Sequence, residues 1–364
     1  MTLISETARA WVDVDLGALA ANARTLVALT GSRLLPMVKA NGYGLGAVAV
    51  ARALEPLEPW GYGVASVEEG SALRQAGITR AILVLSPLLV DSIESHLAAD
   101  LRPAIGDPIA LDAWCRRSDR PFHLEIDTGM ARAGIRWSDA GALARAAALV
   151  ATAPGWEGVF THFHSADTDP ASAATQWERF RDVIAALPRR PPLVHAANSA
   201  GALCGRAYAG DLIRPGIFLY GGEAGGTPPA PVAALRARVL AVRRLEPGDP
   251  VSYGATWRAQ RATRIATIAI GYADGLPRAT AEPAAARPPR LVELNGELSP
   301  VVGRVTMDMT MLDVGDATPA PGDVATVYGG RVSLDQQATA SGTIAYELLT
   351  ALGARVPRRY RSHS

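Results

Sequence analysis

The sequence predicts a (β/α)8 barrel followed by an all-β domain, and three observations carry that prediction. Apolar runs that read as strands alternate with helical periodicity over about 220 residues. A polar cluster follows strand after strand, as at the C-terminal rim of a barrel. An open doubly wound sheet would gather its site at one switch point, and no early strand runs into a Gly-x-Gly-x-x-Gly turn. Finally, beyond a Pro/Gly-rich boundary at 221–231 (GGEAGGTPPAP), short strands are separated by glycine and proline turns. The expected division is 1–228 for the barrel and 229–364 for the β-domain.

Taken in order, Trp11-Val12-Asp13-Val14 alternates and reads as a strand, with Asp15 placed to cap a helix over 16–29. Residues 34–38 (LLPMV) are an apolar run, read as a buried strand that ends at Lys39 before a turn punctuated by Gly42 and Gly44. A helix over 46–54, a strand over 61–65 and a helix over 67–75 closed by Gly77 follow. Strands over 81–85, 101–105, 122–126, 158–161 and 192–196 alternate with helices over 90–96, 108–116, 138–151 and 171–187, and 212–217 closes the series. In the second domain strands are expected over 237–242, 250–253, 264–270, 290–294, 301–305, 309–314 and 323–328, then a short helix near 341–349.

With 364 residues, 49% hydrophobic, 20% charged and net charge +1, the chain reads as globular, with no pull toward nucleic acid or an anionic membrane. Cys115 and Cys204 are too few and too far apart for a disulfide framework or a zinc site, which suits a reducing compartment. The N-terminus shows no basic segment ahead of an apolar signal core, and no apolar run reaches the roughly 18 residues of a membrane span. A cytoplasmic location is expected.

Lys39 is the only lysine in the sequence; every other cationic side chain is arginine. Arginine serves wherever charge alone is needed, so the one lysine stands where a guanidinium cannot. An amine can lose its proton, attack a carbonyl and hold it as an imine, which arginine cannot do. Its place at the C-terminal end of a strand is where a barrel gathers catalytic groups.

Further segments join it in order. They are Val38-Lys39-Ala40-Asn41-Gly42-Tyr43-Gly44, Asp127-Thr128-Gly129-Met130 with Arg132, Thr161-His162-Phe163, Asn198-Ser199-Ala200 and Arg214-Pro215-Gly216-Ile217. Beyond the boundary come Val251-Ser252-Tyr253-Gly254-Ala255-Thr256, Ile270-Gly271-Tyr272-Ala273-Asp274-Gly275 and Val302-Gly303-Arg304 with Met307-Asp308. Together these resemble the pyridoxal-phosphate-dependent alanine racemases, over nearly the whole chain. The resemblance implies a homodimer with active sites shared between subunits, and D-alanine supply for peptidoglycan as the physiological role. A preference for serine or another small amino acid is the alternative substrate reading.

Racemisation removes the Cα proton from one face and returns one on the other, so it needs an electron sink and two opposed bases. By resemblance, Lys39 holds pyridoxal 5'-phosphate and serves as one base, and Tyr253 of the partner subunit is the other. His162 and Arg214 supply the hydrogen-bond chain that helps a tyrosine near pKa ~10 to act. Arg214 also faces the pyridine nitrogen and, always protonated, cannot accept a proton there; a weak sink disfavours transamination. A salt bridge to Asp211 is the structural alternative for Arg214, and His195 is expected behind it. Tyr43, Asn198, Ser199, Gly216 and Ile217 resemble the cofactor cradle, the glycine allowing close approach of the phosphate. Arg132, Met307 and Asp308 resemble the substrate contacts and Tyr272 the entrance.

Four positions depart from the family pattern. Ala354 stands where a phosphate-binding tyrosine is common, Leu45 where histidine is usual, and Thr306 precedes Met307; the last two leave room for an altered substrate range. Glu125 stands where many members have a carbamylated lysine that orients the arginine at 132. Its side chain is three bonds shorter, a gap of about 3–4 Å. A reading from another class is a metal-dependent hydrolase built on His162, His164, Asp167 and Asp169, but that ligand set is thin. A cofactor-binding regulatory protein would need Lys39 but neither Tyr253 nor His162.

Overall fold

The computed structural model describes residues 8–278 and 287–361. Six parallel strands, Gly61–Val64, Ala81–Pro87, Arg102–Ile105, Phe122–Asp127, Trp156–Phe160 and Leu193–His195, stand side by side in chain order. Arg33–Leu34 and Leu212–Ile213 pair in parallel and close the ring. On one side Gly63 N–H donates to Pro36 O (2.9 Å) and Val38 N–H to Gly63 O (2.8 Å). On the other, Asp211 N–H donates to Val194 O (2.7 Å) and Arg214 N–H to Ala197 O (2.8 Å). Eight strands therefore enclose a core, with helices between them, and the polar motifs fall at the C-terminal rim as in other α/β barrels.

The second unit is a ring of six antiparallel strands: Ala233–Leu245, Thr263–Ile268, Thr310–Gly315, Glu297–Val302, Leu291–Leu294 and Val324–Tyr328, the last returning to the first. The strand read first in the chain, Ala10–Asp15, belongs here and not among the barrel strands. It runs antiparallel to Ala233–Leu245 and parallel to Arg358–Arg361. Asp13 supplies a reason: buried, it is held by Arg236, Arg359 and Arg361 at 3.4, 2.6 and 3.2 Å. Immediately after it, Asp15 accepts from Ala18 N–H (2.8 Å) and starts the helix Leu16–Thr30 of the barrel, which ends at Gly31 with φ 70°.

Several expected elements change shape. The strand expected over 34–38 shrinks to Arg33–Leu34, because Pro36 has no N–H to donate and Met37 makes a single bridge to Gly63. The strand expected over 250–253 stops at Val251; Ser252 has φ 65° and Tyr253–Ala255 form a 3-10 turn. The helix expected near 341–349 is two, Leu334–Ser341 and Ala345–Thr350, parted at Gly342 with φ 72°. An unforeseen pair, Ile135–Arg136, lies beside Phe122–Asp127. Among the described residues no helix is long and apolar enough to cross a membrane, and both cysteines are free.

Candidate active site

Lys39 opens a left-handed turn. Ala40, Asn41, Gly42 and Tyr43 take φ 52°, 53°, 62° and 52°, a conformation that costs L-residues roughly 1–2 kcal/mol each. The surroundings hold it there. Glu69 accepts from Ala40 N–H (2.6 Å) and Ala65 N–H (2.8 Å), and the Asn41 side chain accepts from Ala47 N–H (3.0 Å). A Cβ on Gly44 would lie 2.1 Å from the Leu349 carbonyl oxygen, so the turn is pressed against the C-terminal helix. It delivers Lys39 and Tyr43 to one cavity of about 490 Å3. Burial, then Arg132 and Arg214, push the Lys39 amine below its usual value against the opposing pull of Glu69. More of it is therefore the free base that attacks a carbonyl.

Glu125, Arg132, His162, Asn198, Ser199, Arg214, Gly216 and Ile217 line the same cavity. All nine sequence-assigned barrel residues and the departing Glu125 thus converge, brought from the ends of five strands and the loops that follow them. One end is rich in hydroxyls and backbone donors. Ser199 Oγ accepts from Gly216 N–H (2.9 Å) and Phe218 N–H (3.4 Å). Asn198 caps the turn beginning at Ser199 through Gly201 N–H (2.9 Å). A Cβ at Gly216 would stand 2.2 Å from the Tyr43 hydroxyl, so only glycine leaves that approach open. The Tyr43 ring is stacked on Tyr220 at 4.5 Å, and Tyr220 is tied to Met37 O (2.8 Å). This end fits a phosphate, and Lys39 fits an aldehyde.

Arg214 is buried and fully engaged on one side. It donates to Thr161 O (2.6 Å), Ala196 O (2.9 Å), His195 Nδ1 (2.9 Å) and, at 3.3 Å, His162 Nδ1. Burial lowers it to about 10, which leaves it protonated near neutrality. The salt bridge to Asp211 does not form; Asp211 pairs with Arg190 (3.0 Å). Burial, with Arg214, Arg132 and Lys39 nearby, pushes His162 down to about 3, so it is neutral. Since Arg214 only donates, the single His162 proton sits on Nε2.

Glu125 is buried, and its Oε2 has no hydrogen-bond partner. Burial pushes it up to about 7 even though Arg214 and Arg132 both pull it down. Its Cγ packs 3.0 Å from where a Gly134 Cβ would stand. The Arg132 loop is positioned separately: Asp127 accepts from Gly129 N–H and Ala131 N–H, both at 3.0 Å, and Arg179 donates to Thr128 O (2.9 Å).

Tyr253, Tyr272, Met307 and Asp308 are not in this cavity. Tyr253 is 69% exposed on the β-domain, with Tyr272 and Met307 exposed as well. Asp308 pairs with Arg355 (2.7 Å), whose other partner is the buried Asp274 (2.7 Å). Leu45 is core, outside the cavity lining, and the Thr306 hydroxyl is spent on Met309 O (2.9 Å). Sequence reasoning missed Phe160, 5.2 Å beneath the Arg214 guanidinium, and Tyr346, which lines the cavity from the helix Ala345–Thr350. Phe160 directly precedes the Thr161-His162 pair and could have been found there; nothing local marks Tyr346.

Comparison with known proteins adds an independent line. Residues 14–224 match the model of the alanine racemase N-terminal domain and 232–360 that of the C-terminal domain. The chain belongs to the alanine racemase family. It is accordingly an enzyme, an isomerase of the alanine racemase class. The chain is 40% identical to the alanine racemase of Symbiobacterium thermophilum, with 96% of each chain covered, and 39% identical to that of Acidiphilium cryptum, over 96% of this chain and 98% of the relative. Among solved structures, the alanine racemase of a D-cycloserine-producing Streptomyces lavendulae superposes with a TM-score of 0.89 at 32% identity, over 98% of both chains. The Bartonella henselae alanine racemase, which carries covalently bound pyridoxal phosphate, gives 0.88 at 31%, over 97% of this chain and 100% of that one.

The hydrolase reading finds no support in an alanine racemase fold. His164 is exposed and bonded to Ser165 (2.7 Å), and Asp169 caps the helix Pro170–Ala186. Among the described residues no group of three or more His, Cys, Asp or Glu could hold a metal ion.

Proposed function

We propose that this chain interconverts L- and D-alanine with pyridoxal 5'-phosphate held on Lys39, as a homodimer in which each site takes Tyr253 from the partner subunit. The observation that carries the reading is the convergence of the single lysine, a buried arginine and a hydroxyl-lined pocket end on one cavity. When bound, the cofactor supplies the electron sink that acidifies the substrate Cα–H. Tyr43, Ser199 and the backbone N–H of Ile217 would hold its phosphate where the bare Gly216 lets it approach, with Asn198 fixing the turn that presents Ser199. Arg214, which can only donate, would face the ring nitrogen and offer it no proton-accepting partner that favours protonation.

Lys39 Nζ, depressed by burial and by two arginines, exchanges the proton at Cα on one face. The partner subunit's Tyr253 works on the other, its oxygen receiving the His162 Nε2–H. Arg132 binds the substrate carboxylate, joined by the partner subunit's Met307 and Asp308, and Tyr272 narrows the entrance. This assigns the barrel through 228 to one half of a site and the β-domain from 229 to the half that it lends. The physiological product is D-alanine for peptidoglycan, made in the cytoplasm. Borohydride reduction followed by peptide mapping tests the assignment. The label is expected on the peptide holding Lys39; label elsewhere, or none, overturns it.

A further inference from the structure

We propose that Glu157 and His123 are positioning residues for Arg214, acting through His195 along a hydrogen-bond relay that runs from one rim of the barrel to the other. This rests on the reading of Arg214 as the partner of the cofactor ring.

The relay has one consistent direction. Arg214 has only donors, so the His195 Nδ1 at 2.9 Å must be a bare acceptor. A neutral His195 then carries its proton on Nε2, which lies 2.7 Å from His123 Nδ1. That nitrogen must accept, which places the His123 proton on Nε2, 3.2 Å from Glu157 Oε2. The same oxygen accepts from Arg102 Nε at 2.7 Å. Both histidines are fully buried, while the Glu157 side chain is 23% exposed. Burial holds both rings neutral, and His123 and Arg102 outweigh burial to keep Glu157 ionised.

The positions along the strands give the relay its path. His195 ends its strand at the active-site rim; Arg102 opens its strand, and His123 and Glu157 are each second in theirs, at the opposite rim. That opposite rim ordinarily serves stability alone. The chain also makes room for the relay: a Cβ on Gly158 would sit 2.6 Å from His123 Nδ1, the nitrogen that faces His195. The carboxylate fixes the tautomer of His123, and this in turn fixes that of His195. Without it His123 is free to protonate at Nδ1. His195 must then carry its proton on Nδ1, so that two donors confront each other at Arg214 and the guanidinium is displaced from the ring nitrogen.

Two measurements test this. In the full-length protein without cofactor, 15N chemical shifts of labelled histidine should show His195 and His123 as neutral Nε2–H tautomers between about pH 6 and 9. A His195 protonated on Nδ1, or charged, overturns the relay. In the holoenzyme, Glu157→Gln and His123→Leu should each raise the abortive half-reaction about fivefold or more per turnover. In that reaction the Cα proton returns to the cofactor carbon instead, and water releases the 2-keto acid, leaving the amine form. The KM is expected to hold, and the double variant should go no further than either single one, because Glu157 acts only through His123. If Glu157→Gln lowers Tm with an unchanged partition, or if the two effects add, the residues are structural and the proposal fails. Should His123→Leu not fold, Gly158→Ala, which pushes His123 Nδ1 away, takes its place with the same expectation. A wild-type protein that binds no cofactor refutes the proposed function instead, and the tautomer measurement still decides the relay.

Discussion

At the barrel rim Lys39, His162 and Arg214 lie inside a cavity, their charges set by burial and by one another. On the β-domain Tyr253, Tyr272 and Met307 point outward, 69%, 40% and 52% exposed. The first group is chemically tuned within one chain. The second is held out at the surface: Ser252 at φ 65° and Gly254 at φ 76° shape a tight turn around the exposed Tyr253. Strain at an exposed aromatic makes sense when another surface completes it. Under the proposed function the two regions are halves of one site shared between subunits.

The largest effect should come from the tuned half. Lys39→Arg keeps the charge but cannot form the imine, so racemase activity and the cofactor band near ~420 nm should both vanish. Retained activity would remove the lysine from the chemistry. Next, Lys39→Ala and Tyr253→Phe should each be nearly inactive alone, yet regain up to about a quarter of wild-type activity on subunit exchange. Random exchange makes about half the dimers mixed, each with one intact site, as in an isologous two-fold assembly. Exchange seen by native mass spectrometry without recovered activity would mean that the halves belong to one chain.

A third variant addresses the scaffold of the exposed half. Asp274, 1% exposed, accepts from Arg9 (2.6 Å), Arg355 (2.7 Å) and Gly271 N–H (2.9 Å), and these arginines also grip Asp308. Asp274→Ala takes one anionic partner from each arginine and leaves both held through Asp308; because Arg9 and Arg355 are themselves 37% and 43% exposed, the cost should be about 1–2 kcal/mol. Chemical denaturation gives the number, and a wild-type midpoint would show the cluster to be ornamental.

The last effect depends on pH and is at Glu125. Its folded value is raised to about 7 from 4.5, so below about pH 4.5 both folded and unfolded chains hold the proton. Between those values the unfolded chain releases it first, and stability falls as pH rises, by about 3 kcal/mol in all, levelling off above the folded value. Glu125→Gln should therefore gain Tm relative to wild type progressively across that window and keep the full gain above it, with none below about pH 4.5; a pH-independent difference would refute the burial argument. In the loaded enzyme the same variant should raise KM through Arg132, and bicarbonate should have no effect on wild type.

The barrel, its order of strands and the convergence at its rim were legible because each strand end carries its own polar cluster, and period and turn residues are local signals. Lys39 stood out because composition isolates it. What local signals could not show was the destination of distant segments. Residues 10–15 read correctly as a strand but cross to the β-domain because three arginines, all beyond residue 235, meet Asp13. The run 34–38 looked like a full strand because apolarity marks burial, not ladder pairing, and Pro36 interrupts the pairing.

By itself, then, the sequence determined the fold class, singled out the one lysine able to form an imine and marked the donors that converge around it, since those follow from residue chemistry and spacing. Only the tertiary structure decided that Glu125 sits unpartnered, that Tyr346 and Phe160 reach the cavity, and that two buried histidines join Arg214 to a carboxylate at the far rim. Those depend on which side chains meet across strands far apart in the chain, and on the desolvation that meeting imposes.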